Sequence, residues 1–344
     1  MTASPSPRWS RRPEGSNWGD YGPDDELGRL NELGPDQVLK GVREVREGLT
    51  FLLSLPLDLP GGTALNPRRL PPRLFAVDRG GEPTFNLSLP RSRGSWTDII
   101  SDDVAQLTLQ YSTQWDALSH VGGHFDADGD GVAERVYYNG WKAGEHICDP
   151  AREAPFEGSR ARRLGVEHIA EHRIQGRAVM IDLHAHFGDA RMLVGMAELA
   201  AVMEADRVTV EPGDMMCFHT GLADMIIGMK GAPDGARLHA SCAVLDGRDA
   251  ALKAWIRRSG VVAIVADNFA VEAFPAADGG DCCAALPLHE LCLFHLGIPL
   301  GELWRLGELA RWLRSAGRSR FLLTAPPLNL PGAVGSPVSP VATV

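Results

Sequence analysis

Residues 106–131 read QLTLQYSTQWDALSHVGGHFDADGDG and gather amides, carboxylates and two imidazoles in one short run. Asp116 and His120 stand four residues apart, beside Trp115, where a strand is expected to run into a loop. A carboxylate next to an imidazole orients the ring, selects its tautomer and raises its basicity. The pair reads either as a working acid/base couple or as a structural hydrogen bond. Further on, Asp126, Asp128, Asp130 and Gly131 match the first half of a calcium-binding loop, but Tyr137 stands where that loop needs a bidentate glutamate. A solvated Asp/Gly turn is the expectation for that end.

Other clusters are less demanding. His184 and His186 in IDLHAHFG share a face of a strand end by period two, which would suit a metal pair, yet no third ligand stands nearby. Structural or loop histidines are expected. His168 and His172, with Glu167 and Glu171, read as a solvated helix face, and His124 follows two glycines that break any helical face with His120. Cys282 and Cys283 form a thiol pair without a base, and GxSxG, Walker and GxGxxG motifs are all absent from the sequence.

The elements that must position these residues alternate between strand and helix. A helix is expected from Pro35, carrying Val38, Leu39, Val42 and Val45 at helical spacing. Strands are expected in LTFLLSLPLDLP, DVAQLTLQYSTQWD, GRAVMIDL, DMMCFHTG, GVVAIVADN and RFLLTAPPLNLPG. The helix DAALKAWIRRSG ends on Gly260 before a strand, a good α/β signal, and PLHELCLFHLGIPLGELWRLGELARWLRSAG reads as helical around a Gly-Ile-Pro break. The expected organisation is a flexible N-terminal arm, residues 1–20, and a single mixed α/β domain over 21–344, without internal repeats.

Composition sets outer bounds. A net charge of −10 and the absence of a Lys/Arg run argue against nucleic acid as a partner. Neither a signal peptide nor a membrane span is expected, and a cytoplasmic location with reduced, mostly buried cysteines follows.

Many blocks in order carry a resemblance to a known family: NWGDYGPDDELGRLNEL, REGLTFLLSLPLD, TQWDALSHV, YYNG, LGVEHIA, VTVEPGDMMCFHTG, GVVAIVADNFAVE, LPLHELCLFHLGIPLGEL and LTAPPLNLPGAVGSPVSP. Over roughly residues 17–340 the chain resembles the putative cyclase family of bacterial kynurenine formamidases and isatin hydrolases. Formamidase-like members carry His-x-Gly-Thr-His-x-Asp-x-Pro-x-His, in which two histidines and the aspartate hold a divalent metal and the last histidine is the acid/base. Laid on this chain, the ligand histidines fall on Gln110 and Gln114, the aspartate on Asp116 and the catalytic histidine on His120. Gly-Thr becomes Ser112-Thr113 and the proline becomes Leu118, while the later ligands match His289 and Glu302.

The resemblance implies a swivelling β/β/α domain, mixed sheets flanked by helices, assembled as a homodimer or homotetramer. It implies His120 and Asp116 as catalytic residues and Asp116, His289 and Glu302 as metal ligands. Gln110, Gln114, Trp115, Tyr138 and Asn139 are expected to bind a small-molecule substrate. Glutamine is a poor zinc ligand, so the cofactor is expected to be one divalent ion (Mn, Zn or Mg) or none. Three functions stay open: a hydrolase of a small amide, cyclic amide or lactone, a metal-independent cyclase, dehydratase or isomerase of secondary metabolism, and a non-catalytic binding protein.

Overall fold

Three runs near the middle of the chain, AVMI (178–181), MMCF (215–218) and AIVA (263–266), are hydrophobic at every position rather than alternately, the pattern of strands covered on both faces. In the computed structural model these runs become β3 (Gln175–Asp182), β4 (Met215–His219) and β5 (Ala263–Ala266), which pair in parallel. The structure describes residues 8–89, 96–150, 158, 160–277 and 283–344.

Around this centre stand β1 (Thr50–Leu52), β2 (Gln114–Asp116), β6 (Leu300–Glu302), β7 (Arg320–Thr324), β8 (Gly335–Pro337) and β9 (Val341–Thr343). The order across the sheet is β1-β9-β7-β3-β4-β5-β6-β2-β8, with β6 parallel to β5 and the flanking pairings antiparallel. Alternation along the central strands splits the core in two. Val179, Ile181, Met216, Phe218 and Ile264 face one layer, packed with Leu199 and Val202 of the helix Met196–Ala205 and with Leu252 and Ile256 of Ala250–Ser259. Ala178, Met180, Cys217 and Val265 face the other, with Ile169 of Val166–His172 and Leu309 and Leu313 of Gly307–Ser315. The expected mixed α/β class, a mixed sheet flanked by helices, is what the chain adopts.

Several local expectations change. The helix Pro35–Val42 forms, but Leu39 and Val42 are exposed. It lies on the sheet through Gly41 instead: a Cβ there would stand 2.8 Å from the Gly176 carbonyl carbon and 2.7 Å from Leu322 Cδ1. Of the arm expected to be flexible, residues 1–7 lie outside the described ones, while residues 8–20 pack on their own chain. Trp18 is buried, its indole donates to the Phe294 carbonyl at 2.7 Å, and it meets Trp9 edge-on. The segment read as helical after Gly297 contains β6, because the sheet takes Leu300–Glu302 as the partner of both β5 and β2.

His184 and His186 sit on a helical turn rather than a strand end and bind Asp189 and Asp206 separately, so they form no pair. His168 is partly exposed and bonded to Glu26 at 3.0 Å. Asp126, Asp128 and Asp130 occupy the turn of the hairpin Gly123–Phe125 and Glu134–Val136, where Asp126 accepts from the Gly129 and Gly131 amides. Their oxygens come close together, but Arg11 and Lys142 already balance Asp126 and Asp128. Cys217, Cys242 and Cys292 are buried free thiols, Cys148 is partly exposed and Cys283 exposed, and Cys282 lies outside the described residues. Among the described residues, no helix is long and apolar enough to cross a membrane.

Candidate active site

In a strand, neighbouring side chains point to opposite faces. In β2 this sends Trp115 one way and Gln114 and Asp116 the other. Trp115 is fully buried in the second core layer, donates to the Ala325 carbonyl at 2.8 Å and meets Trp304 edge-on at 5.0 Å. Trp115, expected to bind substrate, therefore lies on the opposite side of the strand from Gln114 and Asp116.

On the other face, register places Glu302 of β6 opposite Gln114. The Gln114 amide donates to Glu302 Oε2 at 3.2 Å and more weakly to Asp116 Oδ1 at 3.5 Å. His289 arrives at the end of the short helix Pro287–His289, with Nε2 3.3 Å from Glu302 Oε1 and 4.0 Å from Asp116 Oδ2. Its Nδ1 lies 2.9 Å from Glu272 Oε1, and the Glu272 carboxylate also accepts the Leu288 and His289 backbone amides. One acid thus caps the helix and fixes the ring. His120 follows a turn closed by its own amide on the Ala117 carbonyl, and its Nε2 stands 3.8 Å from Asp116 Oδ1.

Burial grades these groups. Asp116 is 0 %, Glu302 2 % and His289 2 % exposed, whereas the His120 side chain is 22 % exposed. The three ligand candidates form the floor and His120 lies nearer the surface. Burial pushes the Asp116 carboxyl up from its ordinary range, with the His120 charge acting against it. Burial opposes ionisation of Glu302 too, but its bond to His289 and the Arg69 charge outweigh that and bring it to about 2. His289 is likewise disfavoured as a cation by burial, yet its bonds to Glu272 and Glu302 carry it up to about 10. The two carboxylates are thus held unequally, Asp116 shifted up and Glu302 down.

A divalent ion fits this floor. One ligand atom each from Asp116, His289 and Glu302 lies within 4.8 Å of the others. Asp116 Oδ2 and Gln114 Oε1 are buried without a hydrogen-bond partner, a costly state that a cation would relieve. Two carboxylates, an amide oxygen reached by a half-turn of Gln114, and one imidazole suit manganese or magnesium better than zinc. The Glu272 bond to the far ring nitrogen is the support a ligating histidine normally has.

Of the other expected residues, Gln110 lies beside the site. Gly335 pairs with Asp116, and a Cβ on it would stand 2.5 Å from Gln110 Nε2, so glycine makes room for the amide. Tyr138 and Asn139 are not brought to it. The Tyr138 hydroxyl is spent on Asp25 at 3.1 Å, and the Asn139 amide holds the backbone of Gly19, Gly22, Pro23 and Asp25. They anchor the N-terminal segment. His124 is exposed on its hairpin. Sequence reasoning missed Arg69 and Glu272. Arg69 Nη1 donates to the Gln110 carbonyl at 2.8 Å and stands 3.5 Å from Glu302. Neither has a local signal beyond Glu272 closing the quoted block GVVAIVADNFAVE.

The floor opens into a cavity of about 270 Å³ whose lining includes Arg68, Arg69, His120, Phe269, His289 and Glu302. A cavity of about 320 Å³ elsewhere, between Asp182, Asp206 and Arg314, contains none of these residues, so volume does not locate the site.

No curated protein matches the sequence. A crystal structure described as a novel cyclase is 29% identical, covers 96% of this chain and 97% of its own, and superposes with a TM-score of 0.74. Isatin hydrolase A from Labrenzia aggregata, at 14% identity, covers 89% of this chain and 97% of its own with a TM-score of 0.52. The Ralstonia solanacearum enzyme of the same name, also 14% identical, covers 86% and 91% with a TM-score of 0.52. At that identity the likeness concerns the fold. The family model described as a putative cyclase matches residues 61–273, a span that holds Asp116, His120 and Glu272 and more than half of the 344 residues, and the chain belongs to that family.

Proposed function

We propose that this protein hydrolyses a small-molecule amide, cyclic amide or lactone. The observation that carries the reading is the buried group of Asp116, His289 and Glu302 with the partly exposed His120 directly above it, 3.8 Å from Asp116. Asp116, His289 and Glu302 would hold one divalent ion, which when bound supplies Lewis acidity and lowers the pKa of a water. The chain's own residues do the rest. Asp116 stands 3.8 Å from His120 Nε2 and orients the ring, and His120, which lines the cavity, exchanges a proton with the leaving nitrogen or oxygen. Glu272 keeps His289 Nδ1 engaged, so Nε2 is the nitrogen that serves the site. Arg69 holds Glu302 ionised and in place.

A second reading, a metal-independent hydrolase or cyclase, has one observation in its favour. The Gln114 amide already donates to both carboxylates, and Arg69 and a protonated His289 offset their charge. In that case Asp116 and His120 act alone as the acid/base pair.

The test is turnover of a panel of formanilides, cyclic imides and lactones by chelator-stripped protein with and without added Mn²⁺, beside a His120→Ala variant. Metal-restored hydrolysis that falls at least about 100-fold in the variant is expected. Full activity after stripping removes the metal from the reading, and full activity of His120→Ala removes the assignment of His120.

A further inference from the structure

The acidic floor already has a cation of its own. Arg69 Nη1 stands 3.5 Å from Glu302 Oε2, and the same nitrogen donates to the Gln110 carbonyl at 2.8 Å. The Gln114 amide joins it on Oε2 at 3.2 Å, while Oε1, the other oxygen, faces His289 Nε2 at 3.3 Å. Glu302 is thus divided between a guanidinium on one side and the candidate metal ligands on the other. Among the described residues, Arg69 is the one arginine or lysine paired with either Glu302 or Asp116. An arginine cannot shed its proton to make way for a second cation, so it yields only by moving. Its backbone is pinned, the Arg69 amide to the Asn66 carbonyl at 3.1 Å and the Leu70 amide to Thr108 Oγ1 at 2.9 Å. The side chain has room, since it lines the cavity of about 270 Å³ with the Phe269 ring centre 5.5 Å from its guanidinium.

We propose that Arg69 is a resident counter-cation of the metal floor, a positioning residue that holds Glu302 beside Asp116 until a divalent ion displaces the guanidinium. This rests on the metal-holding floor of the proposed hydrolase and adds what governs its loading. Ligand oxygens of Asp116 and Glu302 lie within 4.8 Å of each other, and two buried carboxylates that close repel unless a positive charge stands by. Arg69 supplies that charge from a loop. An incoming ion meets the same carboxylate, and the like charge of the guanidinium, in a place where solvent screens little. Each weakens the other's hold on Glu302, so metal affinity is set by Arg69 as well as by the ligands. The displaced guanidinium stays tethered by the Gln110 carbonyl and has the face of Phe269 to rest on.

Equilibrium metal binding tests this without turnover. Chelator-stripped wild type, Arg69→Gln and Arg69→Lys each compete with a fluorescent chelator for Mn²⁺. Arg69→Gln should bind Mn²⁺ at least about ten-fold more tightly than the wild type, and Arg69→Lys, which keeps the charge, should stay within about three-fold of it. A merely structural arginine would instead cost affinity in both variants. Phenylglyoxal labelling followed by peptide mass spectrometry gives a second reading on the wild type, which depends on no variant folding. Saturating Mn²⁺ should speed the labelling of Arg69 several-fold and leave that of the exposed Arg68 unchanged. Equal or weaker Mn²⁺ binding by Arg69→Gln, or an Arg69 labelling rate indifferent to Mn²⁺, overturns the inference while leaving the hydrolase reading in place. Mn²⁺ binding by none of the three proteins overturns the inference and the metal part of the hydrolase reading together.

Discussion

Glu272 Oε1 receives the ring Nδ1 of His289 at 2.9 Å and the backbone amide of the same residue at 2.9 Å. The residue that presents its Nε2 to Asp116 and Glu302 is thus held at both ends by a buried carboxylate from another strand-loop junction. Its helix could not turn without moving its ring, and its ring could not flip without losing a charged partner.

Glu272→Gln should separate these roles. The amide keeps one acceptor but places an NH₂ group against backbone donors, costing about 1–3 kcal/mol of stability. It also removes the charge that supports the imidazole, so affinity for Mn²⁺ should fall about 10- to 100-fold. Thermal unfolding reads the first effect and competition with a fluorescent chelator the second. Lost stability with unchanged metal affinity would leave Glu272 as a helix cap alone.

Gln114→His addresses the residue that most distinguishes this site. Register puts position 114 opposite Glu302, and its amide already lies within 3.2 Å of that carboxylate. An imidazole there adds a nitrogen ligand, which zinc favours over an amide oxygen. Zinc affinity should rise by at least about ten-fold, with a smaller change for Mg²⁺, measured by equilibrium competition. Unchanged zinc affinity would mean that position 114 does not face a metal at all.

Much of this was legible locally. The helix Ala250–Ser259 starts on Asp249, which accepts the Ala251 and Leu252 amides, and stops at left-handed Gly260, so its ends are written in adjacent residues. β3, β4 and β5 announce themselves as apolar runs of strand length. Asp116, His120, His289 and Glu302 stand out only through the family resemblance, and their convergence is a matter of sheet order. β6 carries no sequence signal because Leu300–Glu302 is too short for a pattern and becomes a strand only through partners on both sides. Trp115 stands next to Asp116 in sequence, yet residues adjacent in a strand face opposite layers. Tyr138 and Asn139 bond the N-terminal segment instead, and polar groups anchoring a distant segment look, in sequence, like polar groups awaiting a ligand. Arg69 comes from a loop and acts on Glu302, more than two hundred residues away, beyond any periodicity.

Away from the site, Asp182 makes a stability prediction with a defined sign. Its Oδ1 lies 2.7 Å from His219 Nδ1, and its Oδ2 accepts from Arg314 Nε at 3.0 Å. Burial opposes its charge, but the His219 and Arg314 contacts prevail and hold the carboxyl at about 2, below its value of 3.8 in an unstructured chain. A depressed folded-state pKa contributes stability that is fully present above about pH 4–5 and is lost as the pH falls toward about 2. The pH-dependent part is on the order of 2 kcal/mol, reduced because the Arg314 side chain is 43 % exposed and its share is screened. Urea unfolding of wild type and Asp182→Asn at pH 7, 4 and 3 checks it. The stability gap should be widest at pH 7 and narrow through pH 4 to pH 3. A gap that stays constant across that range would show that Asp182 is no better stabilised as an anion in the folded protein than in the unfolded chain.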